Sequence, residues 1–164
     1  MKKIKLTQGK YTIVDDEDYD WLNQWKWYAK KYRNNTFYAC RWSLKKNGKR
    51  CHIRMHRLVL GLGIEDSRQC DHHDHDALNN RRCNLRACSN AQNQYNQKKR
   101  TIGTSKYKGV SYHKGARKWS ARIQANKSRC FLGLFETEDN AAIAYNKMAN
   151  VLHGEFAFLN KVGL

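Results

Sequence analysis

The residues whose chemistry stands out lie between Gln69 and Asn93. Carboxylates, imidazoles and carboxamides follow one another closely there, beginning with Asp71-His72 and the run from His73 to Asp76. Carboxylate and amide oxygens suit a hard cation such as Mg²⁺. An imidazole with a pKa near neutrality suits the removal of a proton from water. Because the chain carries a net charge of +18, which suits a polyanion, this combination indicates metal-assisted cleavage of a phosphodiester.

A spaced set of residues within this stretch carries a family resemblance. In order, the residues are Asp71-His72-x-Asp74-x-x-x-Leu78-Asn79-Asn80-Arg81-x-x-Asn84-Leu85-Arg86, followed by Gln92-Asn93. As a spaced set, from about Met55 through Asn96, they resemble the motif of the HNH endonucleases, in the branch of phage and intron-encoded homing-type enzymes. A lone Asp-His pair would carry no such meaning.

The resemblance implies a role for four residues. Asp71 and Asn93 would hold the metal, which is Mg²⁺ with Mn²⁺ or another divalent cation as a substitute, and His72 would be the general base. Asn84 would tie the long loop to the strand and so help to orient His72. The alternatives are a salt bridge from Asp71 to an arginine, a helix-surface amide for Asn93, and a buried, hydrogen-bonded His72. So polar a run does not favour the last of these.

The loop between Asp71 and Asn84 departs from the family pattern at His75, where this branch commonly has glycine. Together, His73 and His75 would suit a softer metal such as Zn²⁺ or Ni²⁺, but we expect them on the loop surface or against a DNA phosphate. Asn79 and Asn80 are expected to hydrogen-bond to backbone groups of the loop rather than to contact metal. Asp74 and Asp76 would be poor residues to face DNA unless they are hydrogen-bonded or paired with Arg81 and Arg82.

The bulk composition favours a nucleic-acid partner. Lys and Arg number 32 against 14 Asp and Glu, and counterion release then drives affinity for a polyanion. The six cysteines form no Cys-x-x-Cys pair, so a zinc ribbon is not expected and reduced thiols are. We find no signal peptide or long apolar run. These features predict no membrane association and, with the phage resemblance, a location in the cytoplasm of the host cell.

The elements that must position these side chains predict an α+β fold. A short strand at residues 70–72, its antiparallel partner at 84–88 and a helix from Ser89 through Gln97 would form the ββα-metal unit of HNH enzymes, within residues 69–97. Asp71 would end one strand and Asn93 would lie one turn into the helix, so that the two could hold a metal between them. Pleat alternation places His72 on the opposite face from Asp71, aimed at the scissile phosphate.

The residues before this unit read as a strand-rich part, residues 1–54, of an HNH domain spanning residues 1–100. The acidic run at residues 15–18 is expected to begin a helix rather than to bind metal. Hairpin signals lie at Asn34-Asn35 and Asn47-Gly48, and a short helix is expected at residues 56–60. On this hairpin, Tyr38, Arg41 and Trp42 would either touch DNA or form a half-buried sheet face.

After a predicted linker at residues 101–105, a second pattern begins. Strands are expected at residues 107–113, 118–125 and 129–135, and an amphipathic helix at 137–152 with Thr137 as its N-cap. Tyr107-Lys108-Gly109-Val110, Lys118-Trp119-x-Ala121-x-Ile123, Phe131-Leu132-Gly133-x-Phe135 and Ala141-Ala142-x-Ala144-Tyr145 carry the pattern. Residues 106–160 resemble the APETALA2-like DNA-binding domain, which implies a three-stranded antiparallel sheet packed on one helix.

That resemblance also implies that the sheet lies in the major groove of double-stranded DNA. The positions that read bases in the family carry fewer arginines here, so its target sequence is not transferred. We expect phosphate contacts from several lysines and one arginine, Lys108, Lys114, Arg117 and Lys118. Candidate contacts on the sheet itself are His113, Arg122, Gln124 and Arg129.

These observations together predict a DNA endonuclease of the HNH homing type. His72 would take a proton from water, the hydroxide would attack the phosphorus in line, and the products would carry 5′-phosphate and 3′-hydroxyl ends. One site per chain makes a nick the expected product of a monomer, whereas a double-strand break requires a homodimer or two events. The alternative is a DNA-binding regulator whose nuclease half is vestigial. An intact set of site residues argues against it.

Overall fold

The chain folds into small antiparallel sheets and short helices, in agreement with the predicted α+β class. The computed structural model describes residues 1–32, 35–45, 48–99, 103–125 and 128–163. It divides into two units, Met1–Ser89 and Asn90–Leu164. The predicted hairpin residues Asn34 and Asn47, and residues 101 and 102 of the predicted linker, lie outside the described residues. The domain boundary at residues 101–105 stays a prediction.

The first unit begins with a two-stranded sheet and a helix. Strand β1 (Lys2–Lys5) pairs with β2 (Tyr11–Val14), and α1 (Asp16–Asn23) follows at once. Three carboxylates in the first turn of α1 lie near the positive end of the helix dipole, as the acidic run predicts. The strand β1 was not predicted. Three of its four residues are exposed lysines and only Ile4 is buried, so it lacks an alternating apolar pattern.

A three-stranded sheet follows, formed by β3 (Tyr28–Lys31), β4 (Phe37–Trp42) and β5 (His52–Arg54), in the order β3-β4-β5. Helix α2 (Met55–Val59) continues directly from β5 and begins one residue before its predicted start. One face of the sheet buries Ala29 and Ala39 in the core of the unit. Arg41 lies on that inner face, with its guanidinium 4.0 Å from the ring centroid of Trp25.

The strand pair that carries the candidate chemistry is β6 (Gln69–His72) with β7 (Leu85–Cys88). Register places Asp71 opposite Arg86 and His72 opposite Leu85. The intervening loop bonds to β2, because Ile13 N–H donates to Leu78 O at 2.9 Å and Asn80 N–H donates to Ile13 O at 2.8 Å. Strand β2 therefore holds this loop in place through backbone hydrogen bonds. No local sequence pattern predicts these contacts.

The second unit opens with helix α3 (Asn90–Asn96), which carries Asn93. Strands β8 (Val110–His113), β9 (Lys118–Ala125) and β10 (Ser128–Phe135) then form an antiparallel sheet in the order β10-β9-β8. Helix α4 (Glu138–His153) packs alanines against it, and Thr137 Oγ1 accepts a hydrogen bond from Asn140 N–H as the predicted N-cap. The sheet packed on one helix is as predicted.

Residues 103–105 are part of this second fold. Ser105 is buried and its hydroxyl donates to Glu138 Oε1 at 2.6 Å, while Tyr112 N–H donates to Thr104 Oγ1. The first strand begins at Val110 rather than at the predicted Tyr107, because Gly109 turns the chain with φ of 75°. A Cβ at residue 109 would lie 2.1 Å from the Tyr145 ring, so only glycine fits there.

No described helix is both long enough and apolar enough to cross a membrane.

Candidate nuclease site

Asp71 is buried and forms an ion pair with the residue directly opposite it in the sheet. Arg86 donates from Nε to Asp71 Oδ2 at 2.9 Å, and its Nη2 lies 2.8 Å from the same oxygen. The salt bridge that the sequence left open as an alternative for Asp71 is therefore present. An ion pair on one carboxylate oxygen does not prevent the group from ligating a cation, but the arginine and the cation would share it.

His72 is only 6% exposed, so it is buried, which the polar run argued against. Its Nε2 lies 3.1 Å from Asn80 Oδ1. Asn80 in turn donates from Nδ2 to Thr12 Oγ1 at 2.7 Å, and the Thr12 hydroxyl donates to Leu78 O at 2.7 Å. Asn80 was expected to satisfy backbone groups. Instead its side chain joins the histidine to a buried threonine of β2.

This chain of contacts determines the tautomer of His72. Leu78 O can only accept, so the Thr12 proton points towards it and the threonine oxygen accepts from the Asn80 amide nitrogen. The amide oxygen of Asn80 therefore faces His72, and Nε2 must carry a proton to donate to it. In the neutral ring the lone pair then lies on Nδ1. A histidine held in this tautomer can take a proton at Nδ1.

Aromatic residues enclose the His72 ring. His56 lies edge-on to it with ring centroids 5.2 Å apart, and Tyr38 lies at 6.1 Å. Burial lowers the pKa of His72, and the hydrogen bond to Asn80 and three aspartates act in the opposite sense. Burial lowers the pKa of His56 much further, aided by His72, Arg54 and Arg57. Both rings are therefore neutral at pH 7, as a base requires.

Asn84 ties the loop together, as the resemblance implies. Its Oδ1 accepts from Asp74 N–H at 3.0 Å, and its Nδ2 donates to Asp74 Oδ1 at 2.9 Å and to Asn79 O at 2.8 Å. The backbone of Asn84 also accepts from His73 N–H. Asn84 therefore acts on the shape of the loop that follows His72, and Asn80 is the residue whose side chain meets the imidazole.

The loop aspartates are hydrogen-bonded within the loop rather than paired with the arginines proposed for them. Asp74 receives bonds from Asn79 Nδ2 and Asp76 N–H, and Asp76 receives one from Leu78 N–H. Burial alone would raise the pKa of Asp74, but these bonds, together with that from Asn84, lower it. His75 has φ of 64°, in the left-handed region that favours glycine, which explains the glycine usual at this position.

The acidic run of α1 holds the far end of the same loop. Asp15 accepts from Arg81 Nε at 3.0 Å and from Arg82 N–H at 2.7 Å. Asp18 accepts from both Arg82 Nε and Arg82 Nη2. These contacts occupy both arginines, so of the two alternatives for the loop aspartates the structure shows hydrogen bonding, and the acidic run has a structural role.

Among the described residues, no group of three or more His, Cys, Asp or Glu side chains is arranged to hold a metal ion. The predicted ligand pair is an aspartate and an asparagine, Asp71 on β6 and Asn93 on α3. A carboxylate and an amide oxygen fit Mg²⁺, which keeps several waters and uses one or two protein ligands. They do not fit a zinc site, which takes three or four nitrogen and sulfur donors.

In the second unit, most of the residues predicted to contact DNA from the sheet lie on its solvent-exposed side. Arg122, Gln124 and Arg129 are exposed, and Arg129 pairs across the strands with Gln124. The exposed Phe131 lies opposite Arg122, whose guanidinium is 5.9 Å from the ring centroid. His113 is exposed, and its Nδ1 accepts from Ala116 N–H.

The lysines and arginine predicted to meet phosphates differ in what already surrounds them. Lys114 and Arg117 lie exposed in the turn between β8 and β9. Lys118 forms a 2.7 Å ion pair with Glu136. Lys108 is half-buried and its ammonium donates to three carbonyls near the end of α3, those of Gln94, Tyr95 and Gln97. Burial lowers the pKa of Lys108 to about 8.

Sequence reasoning missed Thr12 and the role of Asn80. Nothing in a Tyr-Thr-Ile-Val strand marks its threonine as functional, and Asn80 lies 68 residues further along the chain. The nearest signal was that a polar residue falls on the inward side of an apolar strand, where it needs a partner. His56, at the start of the short helix expected at residues 56–60, packs directly on His72.

No family model matches the chain. An APETALA2-like protein of rice, Oryza sativa subsp. indica, is 43% identical over 60 residues, which are 35% of this chain and 14% of the plant protein, and the japonica counterpart matches equally. An uncharacterized HNH endonuclease of Acanthamoeba polyphaga mimivirus is 31% identical over 164 residues, which cover 94% of this chain and 77% of the viral protein. A similarity of this extent, running through the strand pair that carries Asp71 and His72, shows that the chain belongs to the HNH endonuclease family.

Proposed function

We propose that this protein is a metal-dependent DNA endonuclease that hydrolyses one phosphodiester bond per catalytic event, with His72 as general base. The observation that carries the proposal is the chain of hydrogen bonds from Leu78 O through Thr12 and Asn80 to His72 Nε2. It supports a neutral imidazole with its lone pair on Nδ1. A water at Nδ1 would lose a proton there and attack the phosphorus, with the 3′-oxygen leaving in line.

Asp71 and Asn93 would hold a divalent cation, Mg²⁺ or Mn²⁺. When bound, the cation supplies charge neutralisation at the phosphate and at the leaving oxygen. Arg86 holds the Asp71 carboxylate in place while no cation is bound, through the 2.9 Å bond from Nε. Because that carboxylate is buried, the arginine also supplies the partner that a buried charge requires.

Binding of double-stranded DNA would draw on the second unit. The resemblance to APETALA2-like domains, the 60 residues shared with the rice protein, and the exposed Arg122, Gln124 and Arg129 support a role for its sheet in the major groove. Lys114 and Arg117, exposed in the adjacent turn, would meet phosphates. We no longer assign such a contact to Lys108, whose ammonium is already bonded to three carbonyls.

The homing-type resemblance supports cleavage at a defined site, and one site per chain supports a nick as the product of a monomer. A double-strand break would require a homodimer or a second event. The expected products carry 5′-phosphate and 3′-hydroxyl ends, since the 3′-oxygen is the leaving group and the oxygen of the attacking water stays on the 5′-phosphate.

A plasmid-nicking assay with purified full-length protein, with and without Mg²⁺, tests this function. Replacing His72 by alanine should lower the rate by about 10²–10⁴-fold, the usual contribution of a general base, with DNA affinity unchanged. His73→Ala is the matched control, because it removes a neighbouring but exposed imidazole. Full activity of His72→Ala would exclude the base assignment. Tight DNA binding without any nicking would favour the regulator with a vestigial nuclease half.

A further inference from the structure

The three-stranded sheet of the first unit has a second face, on which Cys40 is fully buried while Trp42 and Arg54 are exposed. Alternation along the strands places Ala29 and Ala39 in the core, and places their neighbours Tyr28, Lys30 and Tyr38 on the other side. Register extends this side across β5, because Trp42 pairs with His52 and Cys40 with Arg54. We call this side the outer face. Its residues are Tyr28, Lys30, Tyr38, Cys40, Trp42, His52 and Arg54.

The outer face combines aromatic rings with cations. Trp42 is 49% exposed and its ring lies against His52, with centroids 3.8 Å apart and the two planes tilted by 33°. Tyr28 shares a hydrogen bond with His52 Nδ1, which fixes the imidazole under the indole. The charged groups of Lys30 and Arg54 lie over the ring of Tyr32, at 5.5 and 5.3 Å from its centroid. Among the described residues of β3, β4 and β5, this face carries no carboxylate.

One end of the outer face, at Tyr38, lies next to His72, the candidate base. Tyr38 packs edge-on against His56 at 5.2 Å and lies 6.1 Å from the ring of His72. Trp42 lies four positions beyond Tyr38 on the same strand, which is about 13 Å at the usual rise per residue. Phosphates of one strand of duplex DNA are spaced by about 3.4 Å along the axis. The length of the outer face from Tyr38 to Trp42 therefore corresponds to roughly four such spacings.

We propose that the outer face is a second nucleic-acid surface, which holds the DNA strand being cut on one side of the scissile phosphate. The proposal deepens the proposed function and rests on it for the position of the cut. Lys30 and Arg54 contact phosphates, and the Trp42 indole, already supported by His52, packs on a nucleoside about four phosphate spacings beyond Tyr38. Both cations and the lack of carboxylates match a polyanion, whereas an apolar protein partner would bury the two charges without compensation.

Lys30 and Lys31 provide a matched pair for the test. They are neighbours in β3, carry the same charge and project from opposite faces. Binding of full-length protein to a mixed-sequence DNA duplex is measured at several salt concentrations. For Lys30→Ala we expect the log–log salt slope to fall by about 0.9, the loss of one phosphate contact. For Lys31→Ala we expect the slope of the wild type.

Trp42 tests the aromatic part of the surface. Trp42→Ala should weaken binding of one strand of the same DNA, offered single-stranded, roughly ten-fold, within the range measured for stacking of one unpaired base on an aromatic ring, and Trp42→Phe should restore most of it. Tyr11→Ala is the control, because this ring is also about half exposed but lies on β2. Melting temperatures of all variants show whether a change in binding reflects unfolding.

The outcomes separate this proposal from the function on which it rests. Equal salt slopes for Lys30→Ala and Lys31→Ala, or equal affinities for Trp42→Ala and Tyr11→Ala, overturn the outer face as a nucleic-acid surface whether or not the protein nicks DNA. Absence of nicking by the wild type overturns the proposed function, while the binding comparison of the two lysines still decides the surface.

Discussion

Replacing Thr12 by valine tests the chain of contacts that sets the tautomer of His72. Thr12 is fully buried, and its hydroxyl both donates to Leu78 O and accepts from Asn80 Nδ2. Valine has nearly the same shape but removes both bonds. Leu78 O keeps the bond from Ile13 N–H, so the group left without its hydrogen bond is the Asn80 amide. We expect a cost of about 1–3 kcal/mol in the free energy of unfolding.

The larger effect should fall on catalysis. Without Thr12 Oγ1 as acceptor, nothing distinguishes the two ends of the Asn80 amide, and the amide can turn its nitrogen towards His72 Nε2. The tautomer with its lone pair on Nδ1 then loses a hydrogen bond worth about 1–1.5 kcal/mol. We therefore expect kcat to fall about ten-fold, with KM for DNA unchanged, because neither residue faces solvent.

Thr12→Ser is the matched control. It keeps the hydroxyl and removes one buried methyl group, which should cost about 1 kcal/mol of stability and leave kcat near that of the wild type. Single-turnover nicking and thermal denaturation of the two variants supply the comparison. The reasoning is refuted if the serine and valine variants share the same kcat, since the hydroxyl would then have no catalytic consequence.

Three further predictions concern ion pairs and buried charges. Arg86→Gln leaves the buried Asp71 carboxylate without its guanidinium, so the melting temperature should fall in EDTA and recover when Mg²⁺ is added; no recovery would argue against Asp71 as a ligand. Lys108→Met removes the donor to three carbonyls of the α3 end and should destabilise the protein by about 1.5–3 kcal/mol in urea denaturation. Burial would raise the pKa of Asp15, but bonds from Arg82 N–H and Arg81 lower it. Its contribution to stability is therefore present above about pH 4 and lost as the pH falls through the folded pKa, and Asp15→Asn should flatten that part of a stability–pH curve.

The strand pair, the loop and the helices could be predicted from the sequence because local patterns specify them. The spaced motif identified β6 and β7, and Thr137 with three following polar residues identified the start of α4. Local reasoning also identified His75 as unusual, and the backbone shows why, since φ there is 64°. These features depend on residues within a few positions of one another.

Contacts between distant parts of the chain could not be predicted in the same way. The polar neighbours of His72 in sequence argued against a buried, hydrogen-bonded ring, yet its neighbours in space are His56, Tyr38 and Asn80. The sequence grouped Arg41 with Trp42, yet the two lie on opposite faces of the sheet, Arg41 against Trp25 and Trp42 about half exposed. Burial is decided by which elements meet, and a single sequence records that only weakly.

The packing of α3 changes what the C-terminal fold is expected to do. This helix carries Asn93, the second predicted metal ligand, and seven residues are too few for a helix to persist without tertiary contacts. Those contacts come from the C-terminal fold, because Tyr95 stacks on His153 with centroids 3.8 Å apart and Lys108 bonds to the carbonyls at the helix end. A chain that ends near residue 100 would lose both. We therefore expect the C-terminal fold to hold the helix of this predicted ligand in place, and deleting it should abolish the proposed cleavage even of DNA whose sequence it does not read.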